Sequence, residues 1–225
     1  MEDPLDRPVW HSLRGRQGDL ALSHGQALRI DPGYGPFAAA APGGETDLAA
    51  FLDDAVELWI VQPVELAPPP GTRVLRTAPL LQMIADGPVA ADFEDPDIVP
   101  LGEADAQTMT DLALATQPGP WGPATRHYGP FYGIRRDGRL AAMAGERMRP
   151  GPGLAEVSGV CAWPEFRGQG LAGRLIRRVM AGLAARGDRP FLHSYAGNAP
   201  AIRLYESLGF RPRRELVLTV LGRAA

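Results

Sequence analysis

The chain contains no lysine; all 23 basic side chains are arginine. A mechanism through a lysine Schiff base is therefore excluded. Cys161 is its one cysteine, which rules out an intramolecular disulfide, and no Cys/His cluster has the spacing of a zinc site. No run of about 18 apolar residues is available to span a membrane as a helix. The opening Met1-Glu2-Asp3-Pro4 lacks the apolar stretch of a secretory signal, so a cytoplasmic protein is expected. Long basic runs are also missing and the formal net charge is −3, which argues against a nucleic-acid partner.

What is present is an ordinary globular composition in 225 residues, long enough for one large core or two small ones. Turn clusters at Asp31-Pro32-Gly33-Tyr34-Gly35-Pro36 and Ala41-Pro42-Gly43-Gly44 break the first third. Leu48, Phe51, Leu52, Ala55 and Leu58 then recur at helical spacing. Trp59-Ile60-Val61 reads as a short strand, and Thr77 to Ala85 as another short helix. The acidic, Pro-containing stretch Asp92 to Pro100 reads as a linker, which divides the chain into residues 1–95 and 96–225.

The second part is more regular. Glu103 to Thr116 predicts a helix, and Phe131 to Arg136 and Arg139 to Met148 predict strands joined at the turn Asp137-Gly138. Glu156 to Ala162 is a third strand, followed by an amphipathic helix over Leu171 to Ala185. Pro190 to Tyr195 is a fourth strand. Asn198 caps a helix ending at Gly209, and Arg214 to Leu221 is a last strand. Strands alternating with helices imply an α/β (α+β) fold with a mixed sheet flanked by helices.

Between the third strand and its helix lies Arg167-Gly168-Gln169-Gly170-Leu171-Ala172-Gly173. Glycines let backbone approach a phosphate, a helix N-terminus offers free N–H groups, and Arg167 adds a phosphate-matching fork. The alternative is simply a tight strand-to-helix turn. Gly168, Gly170 and Gly173 also fit the Rossmann dinucleotide spacing, with Asp188 about twenty residues downstream of the first. That reading fails because Asp188 precedes the next strand instead of ending it, and too few residues follow for a second mononucleotide-binding half.

Arg167-x-x-Gly170-x-Ala172 resembles the pyrophosphate motif of the GNAT superfamily of N-acetyltransferases, Arg/Gln-x-x-Gly-x-Gly/Ala. Downstream, Asn198-Ala199-Pro200-Ala201-Ile202-Arg203-Leu204-Tyr205-Glu206-Ser207-Leu208-Gly209-Phe210 resembles that superfamily's second signature, an Asn, an Ala, then Leu-Tyr-Glu and Gly-Phe. Trp121 to Phe210 is similar to the subfamily related to the C-terminal domain of glycine N-acyltransferases. The resemblance implies a splayed central sheet over 96–225, with a smaller α/β region over 1–95, for which a degenerate half-copy of the same fold is the expectation. It implies acetyl-CoA as cofactor, with the pantetheine arm along Val160, Cys161 and Ala162, and the pyrophosphate on Gly168 to Gly173 beside Arg167 and Gln169. Asn198 would lie near the pantetheine, and Tyr205 would be the acid for the leaving thiolate.

Acyl transfer to an amine needs a proton acceptor, an oxyanion donor and a proton for the departing sulfur. Tyr205 is either that acid or a core aromatic. Strand alternation places Glu156 on one face with Ser158, Val160 and Ala162. Glu156 is a candidate base or a solvated strand-end carboxylate, and Glu146 on the neighbouring strand is a second candidate. His193, and Trp121, His127 and Tyr128 in the Pro/Gly-rich loop, are candidates for the acceptor pocket or are structural. Cys161 reads as a small buried hydrophobe, not a nucleophile. The expected partner is a small-molecule or peptide amine; membrane and nucleic-acid partners are not expected, and a homodimer is left open. A CoA-binding module without catalysis is the alternative function.

Overall fold

The computed structural model describes residues 3–52 and 56–224. Helix α1 (Pro8–Arg14) is followed by a small antiparallel sheet of β1 (Ala21–His24), β2 (Ala27–Ile30) and β3 (Ala38–Ala40). The remaining strands, β4 (Leu58–Gln62), β5 (Thr72–Ala85), β6 (Ile98–Leu101), β7 (Phe131–Arg136), β8 (Arg139–Glu146), β9 (Leu154–Ala162), β10 (Arg189–Tyr195) and β11 (Phe210–Arg223), form one eight-stranded sheet. Its order is β4-β11-β5-β10-β9-β8-β7-β6. Only β9 and β10 run parallel. Helices α2 (Ala106–Thr116), α3 (Leu171–Ala185) and α4 (Ala199–Ser207) complete the fold.

The alternation of β8 assigns its two faces. Ala142 and Ala144 pack with Leu175, Ile176 and Val179 of α3, while Met143 packs with Met109 and Leu112 of α2. Thus α3 covers one face of the sheet and α2 the other. Helix α1 joins the second face through Val9 and Leu13, which pack with Phe191, Leu216 and Leu218. Each of these large side chains contributes roughly 1.5–3 kcal/mol on burial. The β7–β8 turn is as the Asp137-Gly138 pair predicts: φ is 52° at Asp137 and 76° at Gly138, the two positive values of a type I′ turn.

Three expectations are corrected. Thr77 to Ala85 is not a helix; it is the second half of β5, paired antiparallel with β10 on one side and β11 on the other. A short apolar run fits either state by periodicity, and here two long ladders, both remote in sequence, decide it. The helical repeat through Leu58 becomes a 3-10 helix over Glu45–Phe51, and Leu58 opens β4; Ala55 lies outside the described residues. The expected linker, Asp92 to Pro100, runs into β6 (Ile98–Leu101), and Asp95 and Asp97 both accept hydrogen bonds from Arg174 of α3, at 2.6 and 2.8 Å.

The division at residues 1–95 and 96–225 does not separate two sheets. β4 and β5 from the first part lie in the main sheet, with β5 between the two C-terminal strands β10 and β11.

Candidate functional site: a splayed strand pair, a glycine loop and a cavity

β9 and β10 pair only at Leu154–Arg189, Ala155–Pro190 and Glu156–Phe191. Beyond Glu156 no pairing joins them, although β9 still pairs with β8 as far as Ala162, and β10 with β5 as far as Tyr195. A bulge accompanies the split: the β8–β9 register shifts between the Gly145–Ser158 and Met143–Cys161 pairs. Gly159 sits in it at φ 62°, and a Cβ there would lie 2.7 Å from the Phe131 ring, so two constraints require glycine. The bulge also corrects the face expected for Glu156. Val160 and Ala162 pack with Ala155 and Val157 beside α3, and Cys161 faces α2, so Glu156 does not share their face.

The loop after β9 leads into α3 with Gly168 at φ 77° and Gly170 at φ 73°. A side chain in this left-handed region costs about 1–2 kcal/mol. Space is not the reason for these glycines, because a Cβ at either would have nothing within 4 Å. Among the described residues, the N–H groups of Gly168 to Gly173 have no hydrogen-bond acceptor, and the first to find one is Arg174, on Gly170 O at 3.2 Å. Gly170 caps α3 without a side-chain bond. Six free donors at the positive end of a 15-residue helix form an anion cradle.

A cavity of about 240 Å³ opens within the split. Val160 lines it from β9; His193, Ser194 and Tyr195 from β10; Asn198 and Tyr205 from the α4 segment. Gln117 to Pro120 cover one side, and Phe37, Trp59, Val61, Leu80 and Leu218 form an apolar end. Asn198 caps α4, its Oδ1 accepting from Ala201 N at 3.3 Å. The Tyr205 hydroxyl has no hydrogen-bond partner among the described residues, and burial raises its pKa, which keeps the phenol protonated at neutral pH.

Beneath the cavity lies a closed polar network. Glu156 is fully buried; Arg147 Nε and Nη2 donate to its two oxygens at 2.9 and 2.7 Å, and Met148 N donates at 3.3 Å. His193 Nδ1 lies 2.7 Å from Glu156 Oε1, and its Nε2 lies 3.0 Å from Gln82 Nε2. Gln82 is oriented by Arg213, which donates to its Oε1, and by its own donation to Leu5 O. Gln82 Nε2 is therefore the donor, His193 Nε2 accepts, and the ring proton sits on Nδ1 facing Glu156. Burial pushes the Glu156 pKa up, but the Arg147 charge, His193 and their hydrogen bonds outweigh it and hold the carboxyl at about 2. Glu146, also buried, accepts from Arg149 at 2.9 Å and Arg186 at 2.6 Å.

A protein of the GNAT acetyltransferase family from Novosphingobium aromaticivorans is 66% identical to this chain over 100% of both, with a TM-score of 0.97. The chain belongs to the GNAT family. The model of the FR47-like protein family also matches residues 131–218, from β7 into β11. A GCN5-related N-acetyltransferase from Kribbella flavida is 20% identical, covering 96% of this chain and 94% of that one at a TM-score of 0.60, a likeness of fold. No curated protein matches the chain.

Membership of the GNAT family implies acyl transfer from acetyl-CoA, and the predicted residues divide against that background. Val160, Asn198, Tyr205 and His193 converge on the cavity, with the GNAT loop Arg167 to Gly173 at the end of the same strand. Cys161 turns away into the α2 core, where burial pushes its thiol up to about 12. Trp121 stands edge-on to Phe131 and donates to Thr110, outside the cavity lining. Tyr128 is buried against Tyr34, with burial raising its pKa, and His127 is exposed on a 3-10 turn. None of these three lines the cavity.

Sequence reasoning missed Arg147, Gln82 and the apolar end of the cavity. Arg147 follows Glu146 on a strand already singled out, so a carboxylate–arginine pairing across β8 and β9 was the one available signal. Phe37, Trp59 and Leu80 had none, since they reach the site through ladders remote in sequence.

Proposed function

We propose that this protein transfers an acetyl group from acetyl-CoA to a primary amine, by direct attack with both substrates bound. One observation carries the reading: six free backbone donors follow β9, and Val160 of that splayed strand lines the same cavity as Tyr205, whose hydroxyl has no partner among the described residues. The residues fit the cofactor. Six backbone donors without acceptors suit a pyrophosphate, and the unpaired edges beyond Glu156 suit an extended amide-bearing arm added like a strand. When bound, acetyl-CoA supplies an activated acyl carbon and a sulfur leaving group.

The chain's own residues then have distinct tasks. Gly168 to Gly173 hold the pyrophosphate, with Arg167 beside them. Burial raises the Tyr205 pKa, so Oη keeps its proton and would supply it to the sulfur leaving a bound acyl thioester. Glu146 lies between Arg149 and Arg186, and Glu156 between Arg147 and His193, which supports a structural role for both over that of general base. This same pairing favours a second reading, CoA binding without catalysis.

The two readings part in an amine panel assayed with acetyl-CoA by free-thiol release. The transfer reading expects amine-dependent release. Acetyl-CoA binding with no release from any amine supports the binding module instead.

A further inference from the structure

The cavity defines the acceptor more narrowly than "an amine". Among the described residues no Asp or Glu lines it, and the charged or titratable groups that face it are Arg147, His193, Tyr195 and Tyr205. Glu156 touches the cavity floor only through its partners, and its oxygens are taken by Arg147, His193 and Met148 N. His193 has no lone pair to offer, because Nδ1 faces Glu156 and Nε2 faces Gln82. On the rim, Arg76 lies 5.1 Å over the Trp59 ring and approaches the Tyr195 hydroxyl at 3.4 Å, and Glu57 accepts from the Trp59 indole without lining the cavity. Past the rim, where Glu57 is held by the Trp59 indole, an ammonium meets Arg147 and, among the described lining residues, no carboxylate.

A simple alkylamine is protonated at neutral pH, with on the order of one molecule in 10³ free. A cation desolvated without a counter-ion is strongly disfavoured, and no side chain in this cavity is placed to take its proton. Much of the lining is apolar: Phe37, with Arg147 4.9 Å over its ring, and Trp59 meet edge to face at 6.1 Å, and Val61, Leu80 and Leu218 line the same cavity. Building on the transfer reading above, we propose that the acceptor is a weakly basic amine, uncharged at neutral pH and carried on an aromatic or bulky apolar frame, and not a polyamine or a lysine side chain.

In the transfer the amine nitrogen forms a C–N bond to the acetyl carbonyl carbon as the C–S bond breaks. The nitrogen loses one proton and the sulfur gains one, so no oxidant or reductant enters. A neutral amine needs no base before attack; once the new bond has acidified it, its proton passes to solvent water, which also restores the proton Tyr205 gives to the sulfur.

The test compares two amines on the same ring, p-toluidine and 4-methylbenzylamine, with spermidine and Nα-acetyl-lysine amide as cationic acceptors. The full-length protein and acetyl-CoA are used, with free thiol and the acetylated product both measured. At neutral pH, kcat/KM for p-toluidine is expected to exceed that for each of the others by about tenfold or more. Its profile is expected to be flat from about pH 6 to 9, while that of 4-methylbenzylamine climbs about tenfold per unit. Trp59→Ala should raise KM for p-toluidine and leave acetyl-CoA affinity alone. Preference for spermidine, the lysine derivative or 4-methylbenzylamine at neutral pH overturns the acceptor class and leaves acetyl transfer standing. Acetyl-CoA binding without thiol release from any of the four overturns the transfer reading and the acceptor class with it.

Discussion

The glycine loop and the cavity, which the proposed function assigns to one site, are built in opposite ways. The loop is seven consecutive residues, its working groups are backbone N–H groups, and its glycines are set by positive φ, with open space around Gly168 and Gly170. The cavity is assembled from Phe37 to Leu218, its working groups are side chains, and beneath it lies the Arg147–Glu156 pair, linked through His193 to Gln82 of β5. The loop is a local solution and the cavity a global one. A change in the loop should be felt mainly in cofactor binding, whereas a change under the cavity should be felt in the whole fold.

The largest effect expected from this contrast is Glu156→Gln. It leaves Arg147 buried without its counter-charge, a situation that typically costs 3–5 kcal/mol, and chemical denaturation should show a loss of about that size. The pH dependence follows the same pair. The folded carboxyl is held at about 2, below its ordinary 4.5, so its contribution is fully present above about pH 4.5. It is lost as pH falls toward 2, and Glu156→Gln should flatten that acid limb. Unchanged stability in the variant would break the comparison at its root.

Tyr205→Phe is nearly isosteric and removes one hydroxyl. Turnover should fall about a hundredfold or more with acetyl-CoA affinity unmoved, the split of an interaction made in the transition state. Wild-type turnover with chemistry rate-limiting would reduce Tyr205 to a packing residue against Phe210. Gly170→Val should weaken acetyl-CoA by about tenfold or more through strain and a blocked backbone, while the folded state loses only about 1–2 kcal/mol. Equal affinity in a folded variant would remove the loop from the account. The smallest effect is expected of Trp59→Ala: a several-fold rise in acceptor KM with cofactor binding intact. Weakened cofactor binding there would show that loop and cavity do not divide their tasks.

The same contrast governs what could be read in advance. Helix α3 follows the predicted span Leu171 to Ala185, because six apolar residues at helical spacing and a flanking glycine loop define it locally. The β7–β8 hairpin was legible for the same reason, through Asp137-Gly138. β5 was not, since its apolar run acquires strand identity only between β10 and β11. The loop and the Asn198–Tyr205 segment were legible as contiguous motifs. Arg147, Gln82 and Trp59 were not, because each gains its place from a partner on a distant strand. The bulge at Gly159 reversed the face assigned to Val160 and Ala162, as one extra residue does in any strand of period two.

The central claim is that this glycine loop grips a pyrophosphate in the GNAT manner and not the Rossmann one. Calorimetric titration of the wild-type protein with acetyl-CoA and, separately, with NAD tests it most directly. Acetyl-CoA is expected to bind with one site per chain and NAD far more weakly or not at all. Binding of NAD as tight as that of acetyl-CoA would contradict the account.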